Sequence, residues 1–484
     1  MRFRPLIASL VALVPLAAGC GAESAAGPEG ASIAPGSAAL FLTVDTSFDS
    51  SQWTKAKALL DKFPDGDRFL DYLSGQGVDF ERDVKPALGP ETDIVGLDLS
   101  GEGTFVGLTQ PKDAGKLKAL LAKGDSAVVT REFDGWTVFS DKASALDEFE
   151  SARKDGALAD SSDFQDTMGE IDADAIARAY LNGEAVQEAI GQNADVPPGL
   201  FGALLPGGKV PSLAFALEAE DGGVRLEGTA RLAGDEAGVF SQPFKAHLPA
   251  EVPAGALVYV DFHGLGDQLK ALRDALAEAM PDFDRDLAQI ESATGVSLDA
   301  DIFPLFANEG ALYVRRGLIL PEVTLVTEVE HEDAAVPVLD KLFGALGQYL
   351  PQGATPEPTT IDGVSAKVVP LGGPVSLYYA AFDGHLVVST SREGIAALRE
   401  DDNRLADDAD FKRALDDAGV PGETTGFGYV DLKGTIPYIL DLIGMSGGTP
   451  PPEVHANLEP LDKLVFFGTK DGRTVRFTAF LAVD

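Results

Sequence analysis

LAFALEAEDGGVRLEGTARL, from Leu213 to Leu232, decides the fold. In its second limb Val224, Leu226, Gly228, Ala230 and Leu232 alternate with Arg225, Glu227, Thr229 and Arg231. A period of two places the sets on opposite faces of a strand, so the first is expected to be buried and the second wet. EDGG (Glu220–Gly223) between the limbs is a turn signal, as are SGEG (Ser100–Gly103) and KDGR (Lys470–Arg473) elsewhere, so much of the sheet is expected to be antiparallel. Leu269, Leu272, Leu276 and Ala279 recur at spacings of three and four, which predicts a helix over Asp267–Met280 whose apolar stripe packs on that sheet. The class is α+β, not a doubly wound nucleotide fold.

Working outward, the same hairpin pattern returns at Leu464–Val483, one of six correspondences in a single order. AALFLTVDTS (Ala38–Ser47) answers to AGALVYVDFHG (Ala254–Gly264), each followed by a helical pattern, the earlier one over Lys55–Phe63. GVDFERDVKPALG (Gly77–Gly89) answers to GVSLDADIFPLFA (Gly295–Ala307), keeping Asp83/Asp301 and Pro86/Pro304 at one offset. FDGWTVFSD (Phe133–Asp141) matches FDGHLVVST (Phe382–Thr390), LADSSDF (Leu158–Phe164) matches LADDADF (Leu405–Phe411), and AIARAYLNG (Ala175–Gly183) matches TTGFGYVDL (Thr424–Leu432). Two tandem homologous modules are expected, 37–250 and 251–484, with the boundary near Pro249–Pro253. The offset grows from about 218 to about 248 between the second and third matches, placing an insertion near 349–380, read as a Pro-rich loop and an extra hairpin.

MRFRPLIASLVALVPLAAGC (Met1–Cys20) has Arg2 and Arg4, an apolar run, and small residues before the only cysteine. That is the layout of an exported protein's signal over 1–19. Pro5 and Pro15 interrupt a run shorter than the roughly 20 residues a spanning helix needs. Ala17, Ala18 and Gly19 before Cys20 resemble a bacterial lipobox, although Leu16 stands four positions before the cysteine where many carry Leu at three. Cys20 is therefore the expected site of lipid attachment, holding the chain to the outer face of the bacterial cell membrane or envelope. With no cysteine left for disulfides, stability must come from buried apolar surface. Residues 20–36, small and polar, are expected to form a flexible tether reaching roughly 20–25 Å. Without residues 1–19 the chain holds 36 basic against 77 acidic side chains, a formal charge of −41, which excludes nucleic acid as a partner.

The LAAGC signal, the ALFLTVDTS or ALVYVDFHG opening, the LADxxDF element and the GYVDL strand together resemble an uncharacterised bacterial family, domain of unknown function 3352. The resemblance covers essentially everything after the tether. It implies an envelope location and carries no assigned chemistry.

The motifs that could carry catalysis fail in context. GMSGG (Gly444–Gly448) has the letters of a nucleophile elbow, but Ser446 follows the helical pattern Thr435–Ile443 and leads into TPPP, with His455 nearby. Gly208-Lys209 is followed by Val210 and preceded by Ala203 where a Walker loop needs glycine. DFDRD (Asp282–Asp286) spaces three carboxylates as a Ca²⁺ loop does, yet Leu287 and Ala293 replace the glycine and the closing glutamate. His247, His263, His331, His385 and His455 lack zinc-site spacing. Four strand ends look alike, Val44-Asp45, Leu181-Asn182, Val260-Asp261 and Val430-Asp431, and are read as helix caps in preference to a ligand site. The sequence points to no cofactor, no metal and no enzyme. It points to a non-catalytic module that binds or spaces another component, its partners being the membrane through the lipid and an envelope protein or small ligand. A lipid-anchored hydrolase and a transporter's solute-binding lipoprotein are the alternatives.

Overall fold

Around the EDGG turn, β7 (Ser212–Glu220) and β8 (Gly223–Arg231) pair antiparallel with Ser212 opposite Arg231. The computed structural model describes residues 27–66, 77–124, 127–191, 210–232, 242–280, 282–317, 320–347, 354–372, 375–400 and 402–484. Among them eighteen strands form one sheet, and every pairing is antiparallel. Its helices lie on both faces, so the molecule is mixed α+β. Cys20, the signal and Gly208-Lys209 lie outside the described residues.

From one edge the order is β4 (Val129–Phe133), β5 (Trp136–Ser140), β3 (Thr104–Thr109), β2 (Glu91–Asp98), β1 (Leu40–Asp45), β6 (Ala177–Asn182), β7 and β8. From the other edge it is β12 (Glu357–Ile361), β13 (Val364–Gly372), β14 (Val375–Phe382), β15 (His385–Ser389), β11 (Glu322–Glu328), β10 (Glu309–Arg315), β9 (Ala256–His263), β16 (Gly426–Asp431), β17 (Leu461–Asp471) and β18 (Thr474–Val483). The halves meet along β8 and β18, Glu227 facing Thr478.

Local chemistry explains the matched stretches. Asp134-Gly135 and Asp383-Gly384 all have positive φ, the requirement of a type I′ hairpin turn. In each LADxxDF element a 3₁₀ turn runs into a helix whose N-terminal amides are capped: Ser161 Oγ accepts from Phe164 N ahead of α4 (Ser162–Met168), and Asp408 accepts from Phe411 N ahead of α10 (Ala409–Ala418). The GVxxxxDV/I stretches form short π turns in which Asp83 and Asp301 each accept the backbone N–H of the cap residue, Asp79 and Ser297, at 2.8 Å.

The front face carries two aromatic cores. Phe164 meets Phe41 edge-on at 5.8 Å and Tyr180 at 5.1 Å; Phe411 meets Tyr259 at 6.1 Å and Tyr429 at 5.1 Å. On the back, α1 (Ser51–Leu60) buries Ala56 and Leu59 against Val44, Ala219 and Val224.

Three expectations need correction. The tether does not extend to Gly36: Pro28 precedes a 3₁₀ turn over Glu29–Ser32, and Ala31 and Ala34 are fully buried in the first core. In β8 Val224, Gly228 and Leu232 are buried as the alternation predicts, but Leu226 is 37% exposed and Thr229, on the face expected to be wet, is buried. Arg225 on the supposedly wet face reaches the Ala418 carbonyl at the end of α10 and stacks over Phe480. Helix α6 (Leu265–Ala279) exists, but its leucine stripe is not buried on the sheet; only Gly266 and Ala275 are, where the helix leans on the turn Phe303–Phe306.

Candidate functional site

The seam between the halves is covered by α1 at one end of its back face, around Val224, Leu481 and Val483, and is open farther along the two strands. Back-face side chains of β8 and β18 are valine, leucine, phenylalanine, alanine or glycine throughout, because the partners Leu226–Ala479, Gly228–Phe477 and Val224–Leu481 all face that way. Leu226 and Phe477 stand 37% and 43% exposed there. Such a surface offers no donor, acid or base, since the backbone groups are spent in the ladder. It can bind apolar matter and cannot perform chemistry.

On the front of the same seam charge accumulates. Glu218 is buried with one oxygen unpartnered, and burial reinforced by Glu227 pushes its carboxyl up to about 8. Toward the other end of β8, Arg231 pairs with Asp166 and Arg476 with Glu170; Asp166, Glu170, Arg231, Arg473 and Thr474 line an open cavity of about 350 Å³.

Two buried carboxyl sites flank the seam on the front, one per half. Glu91 accepts the backbone N–H groups of Glu29 and Gly30 at 3.2 and 2.8 Å. Asp93 is fully buried with neither oxygen hydrogen-bonded, and burial followed by the charge of Glu91 raises its carboxyl well above the usual range. Arg178, lowered by burial, completes the group beside a cavity of about 160 Å³. In the other half Glu309 accepts the N–H groups of His247 and Leu248 at 3.0 and 2.9 Å. His247 also lies 2.5 Å from Glu309 and 2.7 Å from Glu328; burial works against its protonation, but these acids outweigh it and raise its affinity for a proton. Asp261 accepts Phe427 N–H at 2.7 Å, leaves Oδ2 unpartnered, and is pushed up to about 8 by burial. Glu91 and Glu309 each hold a short turn onto the sheet, whereas Asp261 holds the start of β16 and Asp93 holds no backbone group.

Helix α11 (Leu432–Met445) leaves the end of β16 and runs against β17, β16 and β9. Its first turn is well held: Asp431 caps Gly434 N, Lys463 bridges Asp431 and Asp462 at 2.9 and 2.7 Å, and Arg316 donates to the Gly434 carbonyl. Beyond Pro437, which lacks an N–H, Ile439, Ile443 and Met445 are 48%, 39% and 71% exposed, and no side chain of the helix is buried.

The family described as a protein of unknown function, DUF3352, matches residues 106–483, most of the chain. The chain belongs to the DUF3352 family. No curated protein matches it. Among solved structures it is similar to TP0453 in crystal forms III and I, at 13% identity in each, over 49% of this chain and 79% and 80% of that one. The TM-scores of 0.26 and 0.24 are too low to argue from.

In this DUF3352 chain the motif residues stay apart. Ser446 spends its hydroxyl on the Ile443 carbonyl at 2.8 Å, ending α11, and no hydrogen bond among the described residues joins it to His455, which sits in α12 (Pro452–Leu458). Asp282 and Asp286 pair with Arg285 at 2.8 and 3.1 Å on the exposed start of α7 (Phe283–Thr294). Among the described residues no group of three His, Cys, Asp or Glu is placed to hold a metal ion. Of the histidines, His247 is in the Glu309 site, His385 lies 3.3 Å from Glu251, and His263 stacks on Phe244 at 5.1 Å. His331 precedes α8 (Glu332–Leu346) without a side-chain cap. Among the four strand ends, Asn182 accepts from Glu184 N and Ala185 N at the start of α5 (Gly183–Gly191), and Asp431 accepts from Gly434 N. Asp45 instead takes Ser47 N and Ser50 Oγ, Ser50 being the cap of α1. Asp261 caps nothing. Glu91, Asp93, Glu309 and Glu218 escaped sequence reasoning; the constant offset of the Gly77 and Gly295 stretches, carried on to Glu91 and Glu309, was the available signal.

Proposed function

We propose that this DUF3352 protein is an exported envelope module, anchored through a lipid on Cys20, that binds another component and performs no turnover. The observation that carries the reading is the bare apolar seam around Leu226 and Phe477, since exposed apolar surface at a junction of halves is characteristic of recognition sites. The motif residues lie apart and Glu91, Glu309 and Asp261 hold backbone, which supports binding over hydrolysis. The antiparallel ladder offers no support to the solute-binding alternative, which usually builds parallel sheets joined by helices.

The reading includes an internal duplication. Support comes from the matching strand orders outward from the seam, the paired aromatic contacts, the twin caps and the twin roles of Glu91 and Glu309. Leu158 N bonds the Ala34 carbonyl as Leu405 N bonds that of Val252, so the second module begins a few residues before the Pro249–Pro253 boundary. Strands β12 and β13 at the far edge are then the added hairpin.

The test is a photoreactive residue at Phe477 in native envelopes, with a panel of ester and glycoside substrates run in parallel. A discrete adduct and no turnover are expected. Hydrolysis by the wild type that disappears in Ser446→Ala or His455→Ala would overturn the reading in favour of the hydrolase, and absence of any adduct would remove the seam as the site.

A further inference from the structure

A helix that is apolar nearly all round belongs in a core or in lipid. Helix α11, LKGTIPYILDLIGM, carries only Lys433 and Asp441 as charges, and Lys433 is already paired with Asp484. No α11 side chain is buried, and Ile439, Ile443, Met445 and, on α12, Val454 are exposed. This hairpin contributes little to either core; its arrangement makes sense against an apolar medium outside the protein.

The path of the chain says which medium. The first described residues sit at Glu91, which faces Asp45 across β1 and β2. Asp45 bonds Ser50, the cap of α1, and just beyond α1 Asp65 exchanges hydrogen bonds of 3.0 and 2.7 Å with Asn457 of α12. A ten-residue helix spans about 15 Å, so the hairpin lies one helix length and its two bonded ends away from the point where the tether emerges. From Cys20 to Gly27 the chain reaches about 25 Å when extended. A lipid on Cys20 and the tip of α11 can therefore meet one bilayer.

We infer that the α11–α12 hairpin docks its exposed apolar tip into the surface of the bilayer that holds the anchor, through Ile439 and Ile443 one turn apart on α11, Met445 at the end of that helix and Val454 on α12. The inference rests on the lipid-anchor reading. Pro437 separates the pinned first turn from the distal turns, so the distal part can tilt into lipid while the root stays fixed. The acidic surface, with a formal charge of −41 once residues 1–19 are removed, favours zwitterionic over anionic lipid.

Cys20 is the sole cysteine and is consumed by the lipid, so one new cysteine can be labelled cleanly. The full lipidated chain carrying Met445→Cys with an environment-sensitive fluorophore is placed in phosphatidylcholine vesicles containing spin-labelled lipid. Asp471→Cys, at the turn eleven strand residues along β17, is the control. Expected is a blue shift and at least twofold quenching at 445, none at 471, and loss of the 445 signal in Ile439→Asn/Ile443→Asn, whose exposed sites leave folding intact. Equal quenching at both positions, no quenching at 445, or a dimer that the double variant dissolves would overturn the inference. The anchor reading fails separately, if Cys20→Ser leaves the chain membrane-bound.

Discussion

Replacing Asp261 by Asn should change how stability depends on pH. Asp261 is buried, accepts Phe427 N–H on Oδ1 at 2.7 Å and has no partner for Oδ2. Burial, with a smaller contribution from Glu309, raises its carboxyl from 3.8 to about 8. An acid raised in the folded state is neutral in both states below pH 3.8, where its contribution to stability is complete. Between 3.8 and about 8 the unfolded chain ionises and the folded one does not, so stability falls by up to about 1.4 kcal/mol per pH unit. Above 8 both forms are ionised and the loss levels off, at a total on the order of 5 kcal/mol. Asn preserves the Oδ1 acceptor and places an unpartnered amide where Oδ2 was, at a cost of about 1–3 kcal/mol at every pH. The variant should therefore be slightly less stable than wild type below pH 3.8 and more stable above 8, with the curves crossing between. Denaturant unfolding across that range measures it, and the difference between the curves removes the common fall due to Glu218 and Asp93. Parallel curves would refute the reasoning, because they would mean that Asp261 is ionised in the folded protein at neutral pH.

Gly30→Ala should cost about 1–3 kcal/mol, read from the denaturation midpoint, because its new Cβ would collide with the Asp93 carboxylate. Lys463→Met should cost about 3 kcal/mol, since it leaves Asp431 and Asp462 without their counter-charge at the root of α11; unchanged stability would show that the bridge holds nothing. Cys20→Ser should release the chain from membranes and abolish fatty-acid labelling, and labelling that persists would place the lipid elsewhere.

Local signals were legible and long-range ones were not. The SGEG, EDGG and KDGR turns join paired strands as read, and the LADxxDF stretches, read only as a repeat, prove to be helix caps specified by equally local residues. Alternation cannot say which face will be covered, because the cover comes from far along the chain: Arg225 is roofed by the end of α10 and by Phe480. The same limit applies to α6, whose stripe has the right period but finds only the Phe303–Phe306 turn. Glycine, alanine and serine around residues 28–36 read as a tether, yet small residues are what let that turn lie flat over Glu91 and Asp93. The carboxyl groups with raised proton affinity belong to no motif; burial alone distinguishes them from the other acids of a chain this rich in them.

On the duplication reading, the seam also bears on ancestry. Its register matches Leu226 with Ala479 and Gly228 with Phe477 about a centre at Glu227 and Thr478, so each strand presents to the other nearly what it receives. A chain ending at β8 would carry a bare, nine-residue edge, whose closest fit would be another copy of the same strand turned end for end. On the duplication reading, a half-length forerunner would have been a two-fold dimer, and fusion would have traded its dependence on concentration for a covalent link while freeing α11, β12 and β13 of the later half to diverge.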